Sequence, residues 1–135
     1  MRAPQETIRL PFALATASIA RTKLAGFLTV QRVEAAVIDD ALLVLGEMLA
    51  NALCHGCPTS DDTIEITWAI NGDLLELSVY DAGVGASLKP IDFDEDSLSG
   101  RGLSIINRVA DRWWVDMDRG TRVSAELSGL LAHRS

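Results

Sequence analysis

Residues 42–55, LLVLGEMLANALCH, restrict the fold more than any other part of the chain. At about 3.6 residues per turn this stretch reads as a helix that is apolar almost all round, with Leu43, Val44, Leu45, Met48, Leu49, Ala52 and Leu53 spread over several sides. Such a helix is expected to be packed over most of its surface. Glu47, Asn51 and His55 fall four residues apart and form a single polar stripe. A carboxylate and an amide beneath a packed helix are costly to desolvate unless a polar group, such as a metal-bound phosphate or water, lies against them. Taken alone, the pair equally describes a narrow solvent-facing edge, so its weight depends on the glycine motifs farther along the chain.

The chain has 135 residues, 48% apolar and 23% charged, which suits one folded domain, residues 1–135, with a real core. A formal charge of −7 argues against a nucleic-acid groove or an anionic membrane surface, because both need an excess of Lys and Arg. No run reaches the roughly 18 apolar residues of a membrane span, and MRAPQETIRLPF has no apolar segment of signal length. A cytoplasmic protein without direct nucleic-acid or membrane contact is expected. Cys54 and Cys57, in Cys-His-Gly-Cys, fit a redox pair, half of a zinc site or two plain thiols. Zinc needs about four ligands and only His55 and the distant His133 remain, so plain thiols are expected, with a regulatory disulfide as the minor alternative.

Residues 7–12 alternate like a half-buried strand, and Pro11 points to a sheet edge. A helical pattern over 15–30 places Ile19, Leu24, Phe27 and Leu28 on its apolar side. A second helix starts near Glu34 and runs to Gly56-Cys57-Pro58, which stops it. Residues 63–70 and 74–80 alternate as two antiparallel strands joined at Asn71-Gly72. Asp81-Ala82-Gly83-Val84-Gly85 follows, then a polar stretch, 86–99, with Lys89 and four acids, Asp92, Asp94, Glu95 and Asp96, which reads as a mobile loop. Gly100-Arg101-Gly102 opens a third helix with Leu103, Ile106 and Val109 on its buried side. Residues 113–117 and 122–127 form a closing hairpin around Asp118-Arg119-Gly120, and 129–135 is expected to fray. The sum is a two-layer α/β sandwich, a mixed and mainly antiparallel sheet covered on one face by three helices.

Singly, each glycine motif is weak; their order is specific. Glu-x-x-x-Asn on a helix, then a strand ending in Asp-x-Gly-x-Gly, a loop, and Gly-x-Gly-Leu at a helix start resembles the nucleotide-binding domain of gyrases, histidine kinases and mismatch-repair ATPases, the GHKL superfamily. Within it, GEMLANALCHG and GRGLSIINRVADRW are most similar to the anti-sigma-factor serine/threonine kinases of bacteria, over essentially the whole chain. The resemblance implies Mg²⁺ and ATP held between helices and a lid, a sigma factor as partner, and phosphorylation of a small STAS-like antagonist protein. A homodimer is compatible with it.

By the same resemblance, Asp81 accepts a hydrogen bond from the adenine amino group, and Thr121 shares a water with that aspartate and the base. Gly83 and Gly85 allow the backbone to approach the base and take unusual dihedrals. Asn51 is implied as the Mg²⁺ ligand and Glu47 as the general base. Gly100, Arg101, Gly102 and Leu103 form the second nucleotide motif, where free N–H groups at a helix N-terminus favour phosphate and Arg101 adds charge. His55 is expected to be a satisfied helix-end histidine rather than a phosphate contact. Residues 86–99 correspond to the lid, whose acids would repel a polyanion unless they face solvent or a basic partner. That leaves a rival open: a nucleotide-dependent protein switch without phosphoryl transfer. A detached histidine-kinase catalytic domain fits less well, because no phospho-acceptor helical hairpin precedes the motifs, and gyrase-like or mismatch-repair ATPases need a further domain acting on DNA.

Overall fold

The computed structural model describes residues 3–83, 98–117 and 119–130, with the side chains of 98–103 outside the description. The elements are β1 (Gln5–Pro11), α1 (Thr16–Val30), α2 (Ala35–His55), β2 (Thr63–Asn71), β3 (Leu74–Asp81), α3 (Leu98–Val109), β4 (Arg112–Asp116) and β5 (Thr121–Leu127). They build a five-stranded sheet in the order β1-β2-β3-β5-β4. All pairings among the described strands are antiparallel, so the mixed sheet expected from the sequence has no parallel pair there. The reason is the connectivity: two hairpins join β2 to β3 and β4 to β5, and the excursion through α3 returns the chain so that β5 runs against β3. As Pro11 suggested, β1 lies at an edge.

Alternation along the strands decides which face is covered. Ile64, Ile66 and Trp68 of β2, Leu75, Leu77 and Val79 of β3, and Val123, Ala125 and Leu127 of β5 are buried. The register pairs Ile66 with Val79, Trp68 with Leu77 and Leu77 with Ala125, so these side chains share one face. Ala20, Leu24 and Leu28 of α1, Val44, Leu45, Met48 and Leu49 of α2, and Ile106 of α3 close the same core. Each large side chain taken fully out of water there contributes about 1.5–3 kcal/mol. The opposite face is polar, with Thr7, Thr67, Glu65, Tyr80 and Arg122 along it, and the Arg122 guanidinium 5.0 Å from the centre of the Tyr80 ring.

α2 packs against α1 and α3 and over β3 and β5. Its apolar character had implied packing on most sides, yet a strip through Asp39, Leu43, Ala50 and Cys54 faces solvent, with Leu43 43% exposed. In a two-layer architecture the outer layer has neighbours below and beside it and none above, so even the central helix keeps one wet side. Among the described residues no helix is long and apolar enough to cross a membrane.

The β2–β3 turn and the C-terminal end differ from the sequence reading. The β2–β3 ladder closes at Asn71 with Leu74, so the two-residue loop is Gly72-Asp73 rather than Asn71-Gly72. Gly72 takes φ +62°, as the first position of a II′-type hairpin loop demands. The register shift frees Asp73 for another task. Its carboxylate accepts hydrogen bonds from the backbone N–H groups of Gly129 and Leu130, both at 2.9 Å. Leu130 is buried, and its carbonyl accepts from the Glu34 N–H at 2.7 Å, just before α2. The expected frayed tail is therefore anchored through Leu130, while 131–135 lie outside the described residues. Asp73→Ala is predicted to lower the unfolding free energy by about 1–3 kcal/mol, because both bonds use a charged acceptor and one of them is exposed. Urea denaturation of the two proteins measures it, and an unchanged midpoint would refute the anchoring role.

Candidate functional site

The last cross-strand pair between β3 and β5 is Asp81 with Thr121, which makes these two neighbours although 40 positions separate them. Asp81 is 1% exposed. One carboxylate oxygen, Oδ1, accepts from the Gly83 N–H at 2.7 Å and from the Cys57 N–H at 3.2 Å. Burial raises the Asp81 pKa above its ordinary value, and the two backbone donors oppose that shift. The result is a carboxylate with one oxygen anchored to backbone and no hydrogen bond at Oδ2 from the described residues.

Thr121 is fully buried, and its hydroxyl donates to the Gly83 carbonyl at 2.6 Å. Its donor thus braces the turn after β3. Gly83 has no positive φ, contrary to the unusual dihedrals expected of it. Glycine is required there by space, since a Cβ would lie 2.9 Å from Asp81 Oδ1 and 3.3 Å from the Cys57 nitrogen. Gly120 presses on the same residue from the other side, where a Cβ would lie 2.5 Å from the Asp81 carbonyl oxygen and 2.6 Å from the Tyr80 hydroxyl. That hydroxyl donates to the Arg119 carbonyl at 3.2 Å, tying the β4–β5 turn to β3.

The polar stripe of α2 is real but graded. Glu47 is half-buried, Asn51 is buried at 7% exposure, and His55 is exposed at the last helical position, where it is not without a partner. The amide nitrogen Nδ2 of Asn51 is buried and, among the described residues, has no hydrogen-bond partner. An unpaired buried amide costs about 1–3 kcal/mol. Rotating the amide by half a turn exchanges nitrogen and oxygen at little cost, so this position can also present an oxygen. A hard cation such as Mg²⁺ takes oxygen ligands and keeps several waters or phosphate oxygens, so one amide oxygen is a fitting protein ligand. No group of three or more His, Cys, Asp or Glu that could hold a metal exists among the described residues. The two halves of the site meet through the end of α2: the Cys57 N–H binds Asp81, and the Cys57 carbonyl accepts from the Ala82 N–H at 2.9 Å.

α3 begins at Leu98, so Gly100 and Arg101 lie in its first turn and Gly102 starts its second, rather than the three opening it. The first four N–H groups of any helix lack partners within it, so the first turn keeps its capacity for phosphate. Residues 84–97, with Gly85 and most of the expected lid, lie outside the described residues, as do the side chains of Arg101 and Leu103. Cys54 and Cys57 are exposed free thiols. An open groove between β1 and α1, lined by Glu6, Ile8, Lys23, Phe27 and Val30 among others, contains none of the candidate residues. Gly56, Cys57 and Gly120 were missed as site residues because they act through backbone groups or through empty space, and Tyr80 because its hydroxyl braces the β4–β5 turn rather than a candidate residue. Only the position of Gly120 directly before Thr121 could have drawn notice.

A family model described as the histidine kinase-like ATPase domain matches residues 10–127. No curated protein matches the chain in sequence. Among solved structures, the chain is similar to the crystal structure of the RsbU and RsbW domains of Rv1364c from Mycobacterium tuberculosis, with a TM-score of 0.70 and 20% identity. The match covers 93% of this chain and 32% of that one. At that identity the likeness is one of fold, and this chain spans about a third of the length of the other.

Proposed function

Because the chain belongs to the histidine kinase-like ATPase domain family, matched over residues 10–127, we propose that it binds Mg²⁺ and ATP and acts as an anti-sigma-factor serine/threonine kinase on a small antagonist protein. The observation that carries this reading is Asn51, a buried amide one helical turn beyond Glu47 whose nitrogen has no partner among the described residues. A fold retains such a group at a cost to stability when a ligand completes it.

Each residue has a separate task in this reading. Asp81, with Oδ1 anchored by Gly83 and Cys57, offers Oδ2 to the amino group of adenine. Thr121 holds the Gly83 turn against β5 so that the base meets a rigid edge. The first turn of α3 supplies backbone N–H groups to phosphate oxygens, with the Arg101 charge nearby in sequence. Asn51 supplies one oxygen to Mg²⁺, which when bound offsets negative charge on the phosphates. Glu47 takes the proton from the serine or threonine hydroxyl as that oxygen attacks the terminal phosphorus, and ADP leaves. Partners of the sigma-factor and antagonist kind follow from the resemblance of GEMLANALCHG and GRGLSIINRVADRW to the anti-sigma-factor kinases.

Incubation with ATP labelled at the γ-phosphate and candidate antagonist proteins of the native host tests the proposal directly. Label on a serine or threonine of one of them is expected. ATP binding without transfer to any of them would favour a nucleotide-dependent protein switch, a reading supported by the four acids opposite the single Lys89 in residues 86–99.

A further inference from the structure

The geometry points to Gly56 as a positioning residue that sets nucleotide selectivity: the missing side chain at the end of α2 leaves the space in which the Asp81 carboxylate sits. This inference rests on the reading of Asp81 as the acceptor for the adenine amino group. Glycine after a helix commonly serves a left-handed cap, but Gly56 does not: it has φ −93° and ψ −169°, open to any L-residue. Backbone conformation therefore gives no reason for glycine at this position. Space does. A Cβ on Gly56 would lie 2.5 Å from both Cγ and Oδ2 of Asp81 and 2.6 Å from Oδ1. Non-bonded heavy atoms are comfortable at about 3.5–4.0 Å, so roughly an ångström of movement would be required.

The surroundings decide what moves. The Gly56 N–H is bonded to the Ala52 carbonyl at 2.7 Å, and Cys57 is bonded through its carbonyl to Ala82, so the helix end is held on both sides. Asp81 has a short side chain fixed by two bonds at Oδ1, one of them the longer 3.2 Å bond to the Cys57 N–H. A methyl group at position 56 would push the carboxylate off the Cys57 N–H and turn Oδ2 away from the place where it meets an amino group. Gly56 would not touch the nucleotide in either case; it acts through Asp81. The consequence is specific: recognition of the 6-amino group is lost, while contacts to the rest of the nucleotide persist.

The test compares ATP with purine riboside triphosphate, which lacks only the 6-amino group, on wild type, Gly56→Ala and Gly56→Val, by calorimetry at fixed Mg²⁺. Wild type is expected to prefer ATP by roughly tenfold or more, the effect of one hydrogen bond to a charged acceptor. Gly56→Ala is expected to lose most of that preference through weaker ATP binding, with binding of the analogue unchanged; Gly56→Val loses the remainder, and if it fails to fold the alanine variant decides alone. A Gly56→Ala protein that keeps the wild-type preference overturns the inference, whether or not its melting temperature falls, because a merely structural contact would weaken both nucleotides alike. Equal binding of the two nucleotides by wild type would instead overturn the adenine reading of Asp81, and this inference with it.

Discussion

Glu47→Ala is expected to slow transfer of the γ-phosphate by about 10²–10⁴-fold, the span typical of a lost general base, while ATP binding stays nearly intact. Glu47 is half-buried on α2, and its side chain makes no hydrogen bond to another described residue, so its removal leaves no stranded buried partner. The variant is therefore expected to fold normally, and the whole effect should appear in turnover. Asn51→Ala behaves differently. It is expected to remove the proposed cation ligand and to weaken Mg²⁺-dependent ATP binding together with turnover, because such a cation would neutralise phosphate charge both in the ground state and in the transition state. Its apoprotein also loses a buried amide nitrogen that has no partner among the described residues, so its stability need not fall. Single-turnover transfer of labelled phosphate, with ATP binding measured in parallel, separates the two. Equal transfer by wild type and Glu47→Ala would remove Glu47 from the mechanism.

The second large effect is on the base. Asp81→Asn should weaken ATP binding by about 1.5–3 kcal/mol, roughly ten- to a hundredfold, since the charged acceptor at Oδ2 becomes an amide donor facing another donor. The same variant is expected to be at least as stable as wild type at neutral pH. Burial raises the pKa of Asp81 above its ordinary value, so the folded state keeps this proton to a higher pH than the unfolded chain does. Between the ordinary value and the raised one, the folded state binds more protons, and stability falls as pH rises across that window. At neutral pH the folded protein therefore bears the desolvation cost of the charge, which asparagine lacks. Asparagine can still accept the Gly83 and Cys57 N–H bonds through its remaining oxygen. Thermal unfolding should show Asp81→Asn melting no lower than wild type at pH 7, with the variant's relative advantage shrinking below the carboxylate range. Unchanged ATP affinity in a folded Asp81→Asn protein would dismiss the pocket assignment.

These expectations combine residues of two kinds. Asp81, Asn51, Glu47 and Thr121 could be read from the chain, because each carries its chemistry in its own side chain and sits at a recognisable spacing from a glycine motif. Gly56 and Cys57 could not. Cys57 acts through a main-chain N–H and Gly56 through the absence of atoms, and neither leaves a mark on side-chain identity beyond a plain helix stop.

The sequence by itself determined the elements and the family. Alternation in β2 and β3, the 3.6-residue period of α1 and α2, and the order of the glycine motifs are local properties, set by how each side chain meets water and by the dihedrals each turn requires. Tertiary structure alone decided how those elements were spent. It paired Asp73 with the end of the chain, so that Leu130 is buried rather than frayed. It left the Leu43 strip of an apolar helix in solvent, because a two-layer fold has no third layer to cover it. It brought the end of α2 against Asp81, where an empty Cβ position and a backbone N–H orient the carboxylate. Those outcomes depend on which surfaces meet and which backbone groups remain unpaired once the layers are stacked, and these quantities exist only after distant segments have come together.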